Sequence, residues 1–453
     1  MACFLSEESR EIYGITPNSE SRFEDFLRVV SGLVKIFRFA GVRPDRVAAP
    51  EIAAVPYDVV TVEEARAIIA KNKRSFLRVS RPDAEMPDIP ANDARVYQRA
   101  SENFNALVSE GLMKQDPAPG MYLYRVRQNG DTFLGLCCCL DVEDYRNTTI
   151  RRHEQTRYDK EEDRTRHIGT TKTHNGPVVL LYRDTGTIFT FLNSLITPAT
   201  VPDADVKGEM GSTHQIFRIT DPAILTRIEQ EFGKVPALYI ADGHHRAKAS
   251  VNVADRRIAA GLPADGEVSR FMGVMFAQNR VRIHGYSRLL VDLGTFTPVT
   301  FLEELGKYFE VTPYGNVKGA EYNIAPKVKK PERYHIVHMY LAGKWYECTR
   351  LLEKNAPPLD ALDVAVLQTW VLEGLLGITD PRGDARLQYL GGARPVSDLE
   401  KLVDLGKYQL AFAMQPVKVE AVLSIADAGG VMPPKSTWFE PKLLSGLVVH
   451  TFD

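Results

Sequence analysis

No apolar run in this 453-residue chain approaches the ~18 residues that a spanning helix needs, so nothing in it reads as a membrane segment. The opening stretch MACFLSEESREIYG carries acids where a signal peptide needs a basic and then an apolar region. Cysteine is scarce: Cys3, Cys137, Cys138, Cys139 and Cys348, with no CxxC pair. Zinc ribbons and thioredoxin-type motifs are thereby unsupported, and an odd, clustered count suits reduced thiols in a cytoplasm. A net charge of −2 gives no global basic field for nucleic acid or an anionic membrane. Several catalytic kits are missing as well. There is no GxxxxGK phosphate loop, no GxGxxG after a strand, no HRD with DFG, and no GxSxG elbow.

What remains is an ordinary globular composition, 44% hydrophobic and 25% charged. Residues 23–39 carry Phe23, Phe26, Leu27, Val30, Leu33 and Phe37 at helical spacing, which predicts a packed helix. Thr61 and Glu64 form a capping box ahead of a helix over 61–72. A further helix is expected near 92–111, with Val96, Ala100, Phe104 and Leu107 on one face. Asn129-Gly130 predicts a hairpin within 121–145. Its second strand alternates Cys137 and Cys139 on one face with Cys138 on the other, as buried inert thiols. Strands follow at 177–183, 214–219 and 236–241, alternating with helices at 221–232 and 246–260. A second hairpin is expected over 270–290. The C-terminal part mixes helices (298–309, 363–377, 417–427) with strands (334–340, 344–349, 408–414). The class is therefore mixed α/β, with a mixed sheet.

Three stretches carry chemistry. In ALYIADGHHRA, a strand, a Gly243 turn and a helix start meet. Unpaired N–H groups and the positive end of the helix dipole suit an anion there. His244, His245 and Arg246 add donors, and an arginine grips phosphate in bidentate fashion. The plainer alternative is a surface helix start capped by Asp242. In RRHEQTRYDKEEDRTRH (151–167), eleven of seventeen residues are charged. Such a run usually forms a solvated helix with pairs such as Glu162 to Arg166. Its sharper feature is Glu154 among basic residues, a candidate general base. The sequence HEQTR lacks the second histidine of a HExxH zinc site. In GGVMPPKSTWFEPK (429–442), Lys435, Ser436 and Thr437 offer an ammonium and two hydroxyls. They suit a carboxylate or phosphate, or simply an ordinary polar loop.

Together the three stretches resemble a known pattern. The Asp242–Arg246 turn resembles the phosphate-binding motif of the ParB and sulfiredoxin superfamily. Within it, His153-Glu154-Gln155, then Asp242 to Arg246, then Pro434-Lys435-Ser436-Thr437 stand in the order found in free serine kinases of the SerK type. From about residue 45 to the end, the chain also resembles a long bacterial family of unknown function. VPYDVV, RTRH, ALYIADGHHRA, LLGITDPR and VMPPKSTWFEPKL carry that likeness. The short kinases have no counterpart to the residues ahead of His153, and Trp438-Phe439 stand where they have other residues.

The resemblance implies a ParB/sulfiredoxin-like core over 151–295. A 1–45 extension, a 46–150 α/β region and a 296–453 substrate-side domain would flank it. It implies phosphoryl transfer from ADP or ATP to free L-serine, with Mg²⁺. Glu154 and Asp242 would be catalytic, with Asp242 also the metal ligand. Gly243, His244, His245 and Arg246 would hold the nucleotide phosphates. His153, Arg157, Lys435, Ser436 and Thr437 would hold the amino acid. Two alternatives stay open: a ParB-like nucleotide-binding regulator, and a metal-dependent hydrolase built on His153, His167, His174, His244 and His245.

Overall fold

The computed structural model describes residues 33–315, 317, 323–391 and 394–452. The first part of the predicted 23–39 helix lies outside them. Its last residues are strand instead, because Ile36 and Phe37 find free partners in Leu140 and Cys139.

Nine strands form the larger sheet: β1 (Ile36–Phe37), β2 (Met121–Gln128), β3 (Asp131–Asp141), β4 (Ile150–Arg151), β5 (Val178–Tyr182), β6 (Ala204–Lys207), β7 (Thr213–Ile219), β8 (Leu238–Asp242) and β9 (Arg270–Ala277). Their order is β4-β8-β5-β9-β3-β2-β7-β6, with β1 on β3. The β4–β8 and β5–β9 pairs are parallel and the others antiparallel, so the sheet is mixed. The expected domain boundary at 150/151 falls within this one sheet.

Asn129 and Gly130 both have positive φ (51° and 81°), as a two-residue hairpin turn requires. Both faces of the sheet are covered. Cys137, Cys139, Val179, Leu181 and Val274 join one apolar cluster, and Cys138, Leu180, Ile240 and Met275 join the other. That double burial explains the continuous apolar runs of these strands.

A second, antiparallel sheet has six strands: β10 (Ser287–Leu290), β11 (Glu310–Pro313), β12 (Tyr334–Leu341), β13 (Lys344–Leu351), β14 (Leu387–Leu390) and β15 (Leu410–Met414). Their order is β11-β13-β12-β15-β10-β14. The predicted 270–290 hairpin does not form. Both edges of β9 are already bonded, to β5 and to β3, so no edge is free for a hairpin partner. The chain instead crosses over: Arg282–His284 pairs with Trp438–Glu440, and β10 enters the second sheet.

Of the helices, α1 is Val62–Lys71, with the Thr61/Glu64 capping box formed, and α2 is Ala94–Ser109. α3 is Tyr158–Thr171 and α4 is His244–Ala259. The charged helix α3 packs against α2 and α4 rather than lying free in solvent. The expected Glu162–Arg166 pair is not made. Glu162 bonds Arg256 of α4, while Arg166 donates to the Asn92 carbonyl (2.6 Å) and lies 4.5 Å over Tyr97. An exposed i,i+4 pair contributes only ~0.3–0.5 kcal/mol, so packed neighbours win.

Candidate active site

Strand β8 ends at Asp242, and Gly243 turns the chain with φ 91° into α4. A Cβ at Gly243 would lie 2.9 Å from Arg246 Nε and Nη2. The guanidinium thus folds back across the glycine, which is a second reason for glycine there. Arg246 Nη2 donates to Asp242 Oδ2 (3.2 Å), and Nη1 lies 3.9 Å from Asp58 Oδ2. Arg246 Nε is buried without a hydrogen-bond partner. Lys442 Nζ donates to the other oxygen, Asp242 Oδ1 (3.3 Å), and sits 4.5 Å over the Trp438 ring. Burial alone would raise the Asp242 pKa. Lys442 and Arg246 outweigh it and hold the carboxyl well below its usual range.

The HEQ segment crosses the start of α4. The backbone N–H of Arg157 donates to His245 Nε2 (3.0 Å), which pins the two motifs together and requires a neutral ring. Burial also lowers the His245 pKa. His153 and His244 meet edge to face, with centroids 4.6 Å apart at 89°. Both are buried, and burial drives both pKa values down, that of His153 to about 4. His153 Nδ1 and His244 Nε2 are buried without a hydrogen-bond partner. Glu154 Oε2 lies 3.7 Å from His244 Nδ1, with its side chain 33% exposed. Burial raises the Glu154 pKa; Asp242 adds to this, while Lys435 and Lys442 oppose it.

The Pro-Lys-Ser-Thr turn forms a third wall. Lys435 has φ 55°, is exposed, and holds its Nζ 5.4 Å over the Tyr286 ring. Ser436 is buried and donates to the Pro433 carbonyl (2.6 Å), so its hydroxyl proton closes the turn. Thr437 is half-buried. Arg288, at the start of the second sheet, donates to the carbonyls of Tyr286 (2.5 Å) and Pro434 (3.4 Å). Burial lowers its pKa to about 10.

One cleft of about 500 Å³ takes in Glu154, Arg157, His245 and Lys435, together with Tyr57 and Asp58. Its size is that of a small-molecule site. His153, His244, Asp242 and Ser436 are not among its lining residues. Arg246 faces a cavity of about 20 Å³ shared with His167 and His174. Arg157 and Lys435 bring positive charge to the cleft, which Arg81, Lys160, Arg164 and Arg382 also line, while His245 stands there as a neutral ring.

A five-histidine metal centre does not assemble. His167 bonds the Val79 carbonyl (2.8 Å), and His174 bonds His450 (2.9 Å). Among the described residues, the one group of three or more metal-type side chains with close ligand atoms is Cys139, Glu267 and His450. None of the three lines the cleft.

Sequence reasoning missed Asp58, Tyr286, Arg288 and Lys442. Asp58 and Lys442 stand inside the family-like segments VPYDVV and VMPPKSTWFEPKL, where nothing in the spacing gives them a role. Tyr286 and Arg288 carried no signal, because they reach the site from a strand pairing that the linear pattern conceals.

Residues 36–365 match the family described as "Protein of unknown function (DUF1015)". The chain belongs to that family. No curated protein matches the chain. Among solved structures, a free serine kinase in complex with AMP is similar at 14% identity, TM-score 0.32, over 67% of this chain and 86% of that one. A free serine kinase variant with ADP is similar at 14% identity, TM-score 0.32, over 66% and 86%. C-terminally truncated SbnI from Staphylococcus aureus is similar at 12% identity, TM-score 0.34, over 68% and 85%. No described helix of this family member is long and apolar enough to cross a membrane.

Proposed function

We propose that this DUF1015 member transfers a phosphoryl group from ADP or ATP to the hydroxyl of free L-serine, giving O-phosphoserine. One observation carries the reading. Residues of all three sequence motifs, Glu154, His245 and Lys435, line a single cleft although 281 positions separate the first from the last (435 − 154).

Phosphoryl transfer needs positioning and charge stabilisation more than covalent help. The serine oxygen bonds to phosphorus as the phosphorus–oxygen bond to the nucleotide breaks. The electron pair leaves with AMP or ADP, and the hydroxyl proton passes to Glu154. A half-buried carboxylate with a raised pKa suits that base role. Arg157, Lys435 and the first turn of α4 hold phosphate oxygens or the serine carboxylate. Arg246 keeps Asp242 ionised and fixes the Gly243 turn.

Mg²⁺ is the expected metal, and when bound it neutralises charge on the phosphates. Asp242 would hold it as an ionised carboxylate, since a hydrated Mg²⁺ needs only one or two. Lys442 bonds one of its oxygens and Arg246 the other, and Asp242 does not line the cleft, so one of the two cations would have to yield its oxygen first.

The test is incubation of the protein with L-serine, Mg²⁺ and either ADP or ATP, followed by detection of O-phosphoserine. Its formation is expected. If nucleotide is bound or slowly hydrolysed and no O-phosphoserine forms, the kinase reading falls and the ParB-like regulator replaces it.

A further inference from the structure

The cleft draws on two parts of the chain. The motif residues Glu154, Arg157, His245 and Lys435 bring charge to it. The segment ahead of them brings six apolar or aromatic residues, Val60, Pro82, Ala91, Val96, Tyr57 and Tyr97, together with the charged Asp58, Arg81 and Asp83. All six lie between residues 57 and 97, ahead of every motif that carries the proposed reaction.

Hydrogen bonds and ion pairs hold this segment in place, some of them made by residues that line the cleft themselves. Arg81 donates to the carbonyls of Tyr57 (3.0 Å) and Val60 (2.8 Å) and pairs with Asp83 (2.9 Å). Tyr97 donates to Asp163 (3.0 Å). Guanidinium groups lie over both rings, Arg164 at 4.3 Å from the Tyr57 centroid and Arg166 at 4.5 Å from that of Tyr97. Asp83 and Asp163 also line the cleft, paired with Arg81 and Arg164, and each carboxylate keeps further acceptor capacity.

A cavity of about 500 Å³ is far larger than free serine needs. Apolar and aromatic residues with carboxylate acceptors match a flat heterocycle bearing amino groups. The cationic motif residues match phosphate.

We infer that segment 57–97 forms the nucleobase-binding end of the cleft, taking an amino-bearing base while the phosphates lie toward His245, Arg157 and Lys435. The inference rests on the reading of the cleft as a nucleotide site, and it gives the region ahead of the motifs a binding role.

Calorimetry on the full chain tests it, with ADP and inorganic pyrophosphate titrated separately. Ala91→Trp and Val60→Arg would obstruct the cleft at this segment. Ala91 is exposed and Val60 half-buried, so both variants should fold, which circular dichroism checks. Both should weaken ADP binding by at least roughly tenfold and leave pyrophosphate binding within about twofold. Unchanged ADP affinity in folded variants overturns the inference and leaves the proposed function standing. So does an equal loss of ADP and pyrophosphate binding. If the wild type binds neither, the nucleotide reading and this inference fall together.

Discussion

Two pairs of buried histidines sit in this molecule, and they are built in opposite ways. His174 and His450 stack at 5.1 Å with rings nearly parallel, 11° apart. Their Nδ1 atoms are 2.9 Å apart, and His450 Nε2 bonds Glu267 at 2.7 Å. His153 and His244 instead meet edge to face, with His153 Nδ1 and His244 Nε2 unbonded. A buried polar atom without a partner costs about 1–3 kcal/mol. The first pair closes its own hydrogen bonds and joins strands at the C-terminus, His450 pairing with His174 in register. The second bears that cost beside Glu154 and the start of α4. A fold that needed only packing there would be served better by an apolar ring, and this supports the proposal that the second pair serves the site.

The largest expected effect lies on the second pair's neighbour. Glu154→Gln should lower O-phosphoserine formation by roughly 10²–10⁴-fold, the range for loss of a general base. ADP affinity by calorimetry should stay within about threefold, on the order of 0.6 kcal/mol. Near-normal turnover would remove Glu154 from the base role.

Next come paired substitutions that set one histidine couple against the other. His174→Phe leaves His450 Nδ1 without its partner and should cost about 1–3 kcal/mol of unfolding free energy, with nucleotide affinity unchanged. His244→Phe removes an orphaned nitrogen and should change stability by less than ~1 kcal/mol while reducing turnover. Denaturant titration beside the phosphoserine assay measures both. Equal destabilisation by the two would erase the distinction.

The histidine pairs carried no signal in the sequence, but much of the fold and of the site did, and the unread part has a common cause. The turn at Gly243, the Thr61/Glu64 cap, the Asn129-Gly130 hairpin and the cysteine alternation are local rules, and the chain obeys them. The 270–290 hairpin failed because strand pairing is non-local: β9 had both edges occupied by strands distant in sequence. The site shows the same split. HEQ, DGHHR and PKST were readable as motifs. Lys442 on Asp242, Asp58 beside Arg246 and Arg288 behind Pro434 depend on crossings that no spacing encodes. Ser436 is a related case, since its hydroxyl looked like a ligand group and serves the backbone turn.

The smallest expected effect comes from charge around Glu154. Burial lifts its pKa above the ordinary carboxylate value, so the base is protonated, and inactive, to a higher pH than a solvated glutamate would be. The acid limb of kcat/KM should therefore lie above the usual glutamate range near ~4.3. Lys435 favours the ionised form and Asp242 disfavours it. Lys435→Ala should move the limb to higher pH, and Asp242→Asn should move it to lower pH, each by less than about one unit in a partly solvated site. Both variants will also lose rate, so the position of the limb is the quantity to read. Movement in the same direction for both would mean that the titrating group is not Glu154, and the assignment would pass to another charged group of the cleft.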